Sequence, residues 1–400
     1  MHINLTVKKL DNEGRGISYY NNKIVFINGA LDGEEVEVEI TKETSKFYEA
    51  NVINVIKPSN KRVVTKCIHI NECGGCSLMH LVISEQNNYK KNLIKDILKK
   101  YADIDTDIKF IESNKDLFYR NKVALKVHNN TYSYLSSKSH DIVDISKCLL
   151  VNNSINEIID YHTFMNIKDG EIVIRSNYNN ELLISVTTSK FEFFNEPPEN
   201  VVGVVVNDKT VYGNNYFFDM IGDYKFKVSY NSFFQINNYI ASEIFKILEN
   251  NIKGNTLLDL YCGSGVMGIS LKNNFNKIIG IEKNKNAILD ANDNALLNKV
   301  NDFKYYVGST DEVIDSINDD IDSIVVDPPR SGLNKETLDS ILKIKPESIA
   351  YISCNPITLA RDLKELKEEY DIKRVYGLDM FPNTYHVETV VILGRKIVWI

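Results

Sequence analysis

The chain has 400 residues, of which 43% are hydrophobic and 25% charged, and a formal net charge of −7. This composition excludes a disordered or fibrous chain, and the length suggests two or three domains. No run of about 18 apolar residues occurs, and Lys8, Lys9 and Asp11 interrupt the start, so no membrane span or leader is expected and the expected location is the cytoplasm.

Residues 1–60 read as short strands with tight turns at Gly14-Arg15-Gly16, Asn21-Asn22 and Asp32-Gly33. Glu35-Val36-Glu37-Val38-Glu39-Ile40 alternates with period two, so this segment is expected to be a small β-barrel of OB-like size. Cys67, Cys73 and Cys76 follow on a loop, and 71 residues separate Cys76 from Cys148. Clustered cysteines in a reducing compartment suit a metal better than disulfides; zinc and an iron–sulfur cluster both fit this set.

A helix is expected over 85–101 with Ser84 as its N-cap. Lys90 to Lys126 holds ten Lys/Arg against six Asp/Glu. This basic segment is either an RNA-facing patch or a solvated helix face, in a chain whose acidic sum argues against indiscriminate nucleic-acid binding. Residues 61–220 read as a central α+β domain, with strands at 171–175 and 182–187.

Residues 221–400 change rhythm to strand, helix, strand. Strands are expected at 256–260, 277–281, 323–326, 348–353, 374–378 and 389–393, with helices at 284–298 and 358–370. That alternation means an α/β fold with a parallel, doubly wound, Rossmann-like sheet. Asp259-Leu260-Tyr261-Cys262-Gly263-Ser264-Gly265-Val266-Met267-Gly268 closes the first of these strands, and Glu282 stands 19 residues after Gly263. The glycines let a ligand approach the backbone and Glu282 can accept from ribose hydroxyls, which suits NAD as well as S-adenosylmethionine. Asp327-Pro328-Pro329-Arg330 ends another strand. Arg330 stands where an aromatic would stack on a base in amino-group methyltransferases.

Cys354, in Ser353-Cys354-Asn355-Pro356, ends a further strand, at the sheet edge where such folds bind ligands. A thiolate there is a nucleophile. His386-Val387-Glu388-Thr389 adds two candidate bases, and an oxidoreductase has no use for Cys354 beside Asp-Pro-Pro-Arg.

Together these motifs resemble the RNA (uracil-C5)-methyltransferase family, over nearly the whole chain. Residues 1–60 resemble a TRAM domain. The four cysteines resemble the iron–sulfur ligands of the branch that modifies 23S rRNA, and Phe233-Phe234-Gln235-Ile236-Asn237 resembles the motif whose Gln meets the cofactor. The resemblance implies a TRAM barrel at 1–60, a central domain at 61–220 with a [4Fe-4S] cluster on Cys67, Cys73, Cys76 and Cys148, and a methyltransferase domain at 221–400. It implies S-adenosylmethionine bound by Gln235, Tyr261, Gly263, Glu282 and Asp327, with Cys354 as nucleophile and Glu388 as base, His386 being the competitor. Tyr119-Arg120-Asn121-Lys122 is similar to a segment that faces the substrate. The implied partner is 23S rRNA, not DNA. The alternatives are the tRNA T-loop, an RNA-binding assembly factor without turnover, and, on the glycine loop alone, an NAD-dependent oxidoreductase.

Overall fold

The computed structural model describes residues 1–136, 142–161 and 164–396. The chain divides into two compact units, and neither is one continuous segment. The first contains 1–93, 133–145 and 381–386; the second contains 94–132, 146–380 and 387–400.

In the first unit six strands form one sheet, in the order His2–Thr6, Glu35–Glu43, Phe47–Lys57, Lys23–Asn28, Gly16–Tyr20, Lys9–Leu10. The alternation at Glu35–Ile40 works as expected: Val36 and Val38 are fully buried and join Val25, Ile27, Tyr48 and Ala50 in the core. Three register shifts between Glu35–Glu43 and Phe47–Lys57 bend that pair, which curls the sheet toward a half-barrel. Glu34 is fully buried, and burial alone would raise its pKa. Arg62, bonded to it at 2.6 and 2.7 Å, and the N–H groups of Leu31 and Ser59 outweigh burial and hold it below the usual range.

The helix expected at 85–101 spans Ile83–Ala102, so Ser84 lies in its first turn. Buried Gln86 donates to the carbonyls of Leu78 and Leu81 and to Asn383 Oδ1, and accepts from the Asn383 N–H. Lys90, also fully buried, donates to the Phe381 carbonyl at 3.0 Å. These bonds tie segment 381–386, which carries His386, to the helix.

Among the described residues the second unit holds two large sheets and two of two strands each. One large sheet includes, in order, Lys122–His128, Asp169–Ser176, Leu182–Thr188, Val201–Val206 and Lys209–Gly213. The other has eight strands, in the order Asp302–Val307, Lys277–Glu282, Thr256–Leu260, Ser323–Val326, Ser348–Ser353, Glu388–Arg395, Tyr370–Leu378, Ile108–Ile111. Thr256–Leu260 and Ser323–Val326 are buried throughout, so they read as continuous apolar runs.

The sheet departs from the expected all-parallel design in two ways. Glu388–Arg395 is antiparallel to both neighbours. The eighth strand comes from Ile108–Ile111, far upstream, and runs parallel to Tyr370–Leu378. Period and composition mark a strand; they carry no information on which distant edge it will pair with.

Candidate active site

Strand order reverses beside Thr256–Leu260. Its next strand in sequence, Lys277–Glu282, lies on one flank, and Ser323–Val326 on the other. The carboxyl ends at such a switch point form the ligand crevice of an open α/β sheet. Tyr261 and Asp327 begin the loops that leave these two strands.

The glycine loop is shaped for close approach. Tyr261 has φ 62°, Gly263 54° and Gly265 80°, a run of left-handed residues that turns the chain from strand into helix Val266–Ser270. A Cβ on Gly263 would meet nothing within 4 Å, so open space lies beside its backbone. Gly268 is different: its N–H donates to Asp259 Oδ2 at 2.8 Å, and an added Cβ would stand 2.9 Å from that oxygen.

Glu282 accepts from the Gly263 N–H at 3.3 Å and from the Asn284 N–H at 2.8 Å. Two buried polar atoms here have no hydrogen-bond partner, Asp259 Oδ1 and Ser264 Oγ. Buried polar groups in folded proteins are as a rule hydrogen-bonded, to protein, ordered water or a ligand. An open backbone cradle, a ribose-ready carboxylate and unsatisfied buried donors and acceptors therefore fit a nucleoside-bearing cofactor. Gln235 is nearly buried beside helix Asn238–Asn251. Its carbonyl accepts from Asn121 Nδ2 at 2.9 Å, and Asn237 caps the helix.

The antiparallel strand explains how a residue 34 positions downstream reaches the nucleophile. Ser353 pairs with Thr389, so the next step along each strand sets Cys354 against Glu388. Val326 pairs with Tyr351, which brings Asp327 to the same edge. Asn355 fixes the cysteine turn: its Oδ1 accepts the Ile357 N–H, and its Nδ2 donates to the Arg330 carbonyl at 3.0 Å. Thr358 Oγ1 also donates to that carbonyl.

The four groups feel one another. Burial raises the Cys354 thiol pKa, Glu388 and Asp327 raise it further, and the Arg330 guanidinium, hydrogen-bonded to the sulfur, pulls it back. Burial and Asp327 push Glu388 well above the usual glutamate range, against Arg330. Burial also raises Asp327, and it takes Asp259 up to about 7, with Asp327 and Glu282 adding to the rise. This edge is a buried carboxylate cluster around one thiol. It suits binding of a cation and removal of a proton.

His386 belongs to the first unit, where its ring packs on Tyr385 at 4.1 Å between centroids. Cys262 is buried beside the loop and its thiol pKa is far raised by burial, which makes it an inert packing residue.

The four cysteines expected as metal ligands divide between the units, with Cys148 in the second. All are half-buried, and the Gly75 N–H donates to Cys73 Sγ at 3.4 Å. Among the described residues no three His, Cys, Asp or Glu side chains are gathered to hold a metal ion. Nor is any described helix long and apolar enough to cross a membrane.

Residues 200–396 match the tRNA (uracil-5-)-methyltransferase family model, and residues 2–53 match the TRAM domain. An uncharacterized RNA methyltransferase of Aquifex aeolicus is 35% identical, covering 98% of this chain and 99% of its own length. One from Clostridium tetani is 32% identical over 98% and 95%. The crystal structure of the Pyrococcus abyssi tRNA (uracil-54, C5)-methyltransferase in complex with S-adenosyl-L-homocysteine superposes with a TM-score of 0.80, at 26% identity, covering 98% of this chain and all of that one. A match of this length is not one of fold alone. The chain belongs to the uracil-5-methyltransferase family and is an RNA (uracil-C5-)-methyltransferase carrying a TRAM domain.

Proposed function

We propose that the chain methylates uridine C5 in 23S rRNA, with S-adenosylmethionine as methyl donor and Cys354 as covalent catalyst. The observation that carries the mechanism is the strand register that sets Glu388 against Cys354, with Arg330 on the sulfur.

Uracil C5 is a weak nucleophile. The Cys354 thiolate adds to C6, and the ring π electrons move into an enolate whose negative charge makes C5 nucleophilic. Gln235, Tyr261, Gly263, Glu282 and Asp327 would hold the cofactor, whose sulfonium would supply a methyl cation equivalent and leave as the neutral thioether S-adenosylhomocysteine, keeping the S–CH3 electron pair. With the methyl group on C5, Glu388 removes the C5 proton, and the electron pair left behind re-forms the C5–C6 double bond and expels the thiolate. A raised carboxyl pKa makes Glu388 a stronger base than a solvated glutamate. The target base must leave its stack to reach Cys354.

The 23S rRNA reading is supported by the four cysteines together with the TRAM domain. The full-length likeness to an enzyme whose substrate is tRNA favours the tRNA T-loop as the second reading. Incubating unmodified 23S rRNA and tRNA transcripts with labelled S-adenosylmethionine, then mapping 5-methyluridine, separates them; label confined to tRNA overturns the first. We further propose that Cys67, Cys73, Cys76 and Cys148 carry a structural [4Fe-4S] cluster, on the chemistry of the donor set. Protein purified without oxygen is then brown, with about four iron atoms per chain. A colourless, zinc-loaded, fully active protein contradicts it.

A further inference from the structure

The sheet that contains Lys122–His128 carries a cavity of about 230 Å³ on one face. It is smaller than the ~300–1,000 Å³ of sites that enclose a whole small-molecule ligand. Val173 and Arg175 from one strand, Ser185 and Thr187 from the next, and Lys122 at the edge line it, with Tyr230 and Asn231 closing one side. Strand alternation puts Val173 with Arg175 and Ser185 with Thr187, since residues two apart share a face, and Val186 and Val205 add apolar lining.

Lys122 and Arg175 are directly opposed in the antiparallel register. Like charges so placed repel, and folding brings them together at a cost. No salt bridge to either compensates among the described residues. Arg175 is 5% exposed; its Nη2 donates to the Ser232 carbonyl at 2.5 Å, and its Nε is buried with no partner. Burial, then Arg175, lowers the Lys122 ammonium pKa to about 8, and burial lowers Arg175 to about 10. Asp290 exerts the one attractive pull on Arg175, while its own oxygens accept from Ser229 and Ser232. The cavity's single carboxylate, Asp208, accepts from the Tyr230 hydroxyl at 3.0 Å. Two confined cations, an unused guanidinium N–H and two hydroxyls want a small tetrahedral anion.

The cavity is wired to the cofactor loop. Asn121, next to Lys122, donates its N–H to the Ile236 carbonyl and its side chain to the Gln235 carbonyl. Arg175 holds Ser232 at the other end of the same loop. We propose that this cavity is a phosphate site, in which Lys122 and Arg175 grip one phosphodiester of the RNA substrate and hold the Ser232–Asn237 loop against it. The assignment rests on the RNA methyltransferase reading and makes Lys122 and Arg175 positioning residues, since neither touches the reacting atoms.

Binding of unmodified 23S rRNA and tRNA transcripts to full-length wild-type, Lys122→Gln and Lys122→Arg proteins, read as Kd against salt, tests it. For the transcript that wild type methylates, Lys122→Gln raises Kd about tenfold and flattens the log–log salt slope by about one, and Lys122→Arg restores both. The three proteins unfold at the same Tm in the absence of RNA, which a merely folding defect would not allow. Unchanged Kd and slope in Lys122→Gln overturn the proposal. Calorimetry with inorganic phosphate is the second arm. Phosphate binding that Lys122→Gln abolishes, with RNA affinity untouched, assigns the cavity to a free phosphate and overturns the RNA assignment. Failure of the underlying reading looks different: wild type then methylates neither transcript, and the phosphate titration still decides the cavity.

Discussion

Cys354 is a nucleophile held in a negative environment, and its reactivity should report each neighbour by sign. Burial and the Glu388 carboxylate raise the thiol pKa, while the Arg330 cation lowers it. Removing the cation in Arg330→Met should move the alkylation rate of Cys354 by iodoacetamide to higher pH than in wild type. Removing the anion in Glu388→Gln should move it to lower pH. Shifts of the same sign in both variants would contradict the cluster. Glu388→Gln has a second expected outcome. The methyl group reaches C5 but the C5 proton stays, so enzyme–RNA adduct accumulates on unmodified RNA and shows on a denaturing gel; full activity without adduct would make water or His386 the base. The sequence placed Cys354, Glu388 and Asp327 at strand ends, and that was legible because a strand period and a terminal polar residue are local signals. Their mutual distances were not legible, since they depend on the antiparallel insertion of Glu388–Arg395, a pairing no local pattern encodes.

At the scale of elements, asparagine does most of the punctuation. Asn237, Asn284, Asn334 and Asn355 each cap a helix through a side-chain oxygen. Asn21, Asn22, Asn129, Asn130, Asn180, Asn207 and Asn383 take left-handed backbone. Caps and turns use the short amide for local hydrogen bonds, and which Asn does so depends on where each helix starts. The glycine loop gives a paired prediction. Gly268→Ala presses a methyl group onto Asp259 Oδ2 and Ile278 Cγ2, at 2.9 and 3.0 Å, and should cost about 1–3 kcal/mol of stability as overpacking. Gly263→Ala meets no protein atom but keeps a left-handed φ, at about 1–2 kcal/mol. Thermal unfolding with and without S-adenosylmethionine checks both. Gly263→Ala should lose a larger share of the ligand-induced rise in Tm, because its methyl group points into the open space the cofactor would fill. Equal loss in the two variants would contradict that placement.

At the scale of the molecule, the chain carries −7 charge yet acts on a polyanion. Local cations must then do the binding, and RNA affinity should fall with salt less steeply than for a strongly basic protein. The two units interleave along the chain. Strand Ile108–Ile111, far upstream, joins the C-terminal sheet. Sequence reading finds where the rhythm of residues changes; it does not find a single strand lent to a distant sheet. The central claim, covalent methylation of uracil through Cys354, has one direct test. A transcript made with 5-fluorouridine, incubated with wild-type enzyme and methyl-labelled S-adenosylmethionine, should give a labelled enzyme–RNA band that survives denaturation, because fluorine cannot leave as a proton. Cys354→Ala should give none while binding the cofactor with wild-type affinity. A Cys354→Ala protein that still forms 5-methyluridine at near wild-type rate, or a wild-type protein that methylates uridine yet never forms the band, would contradict the account.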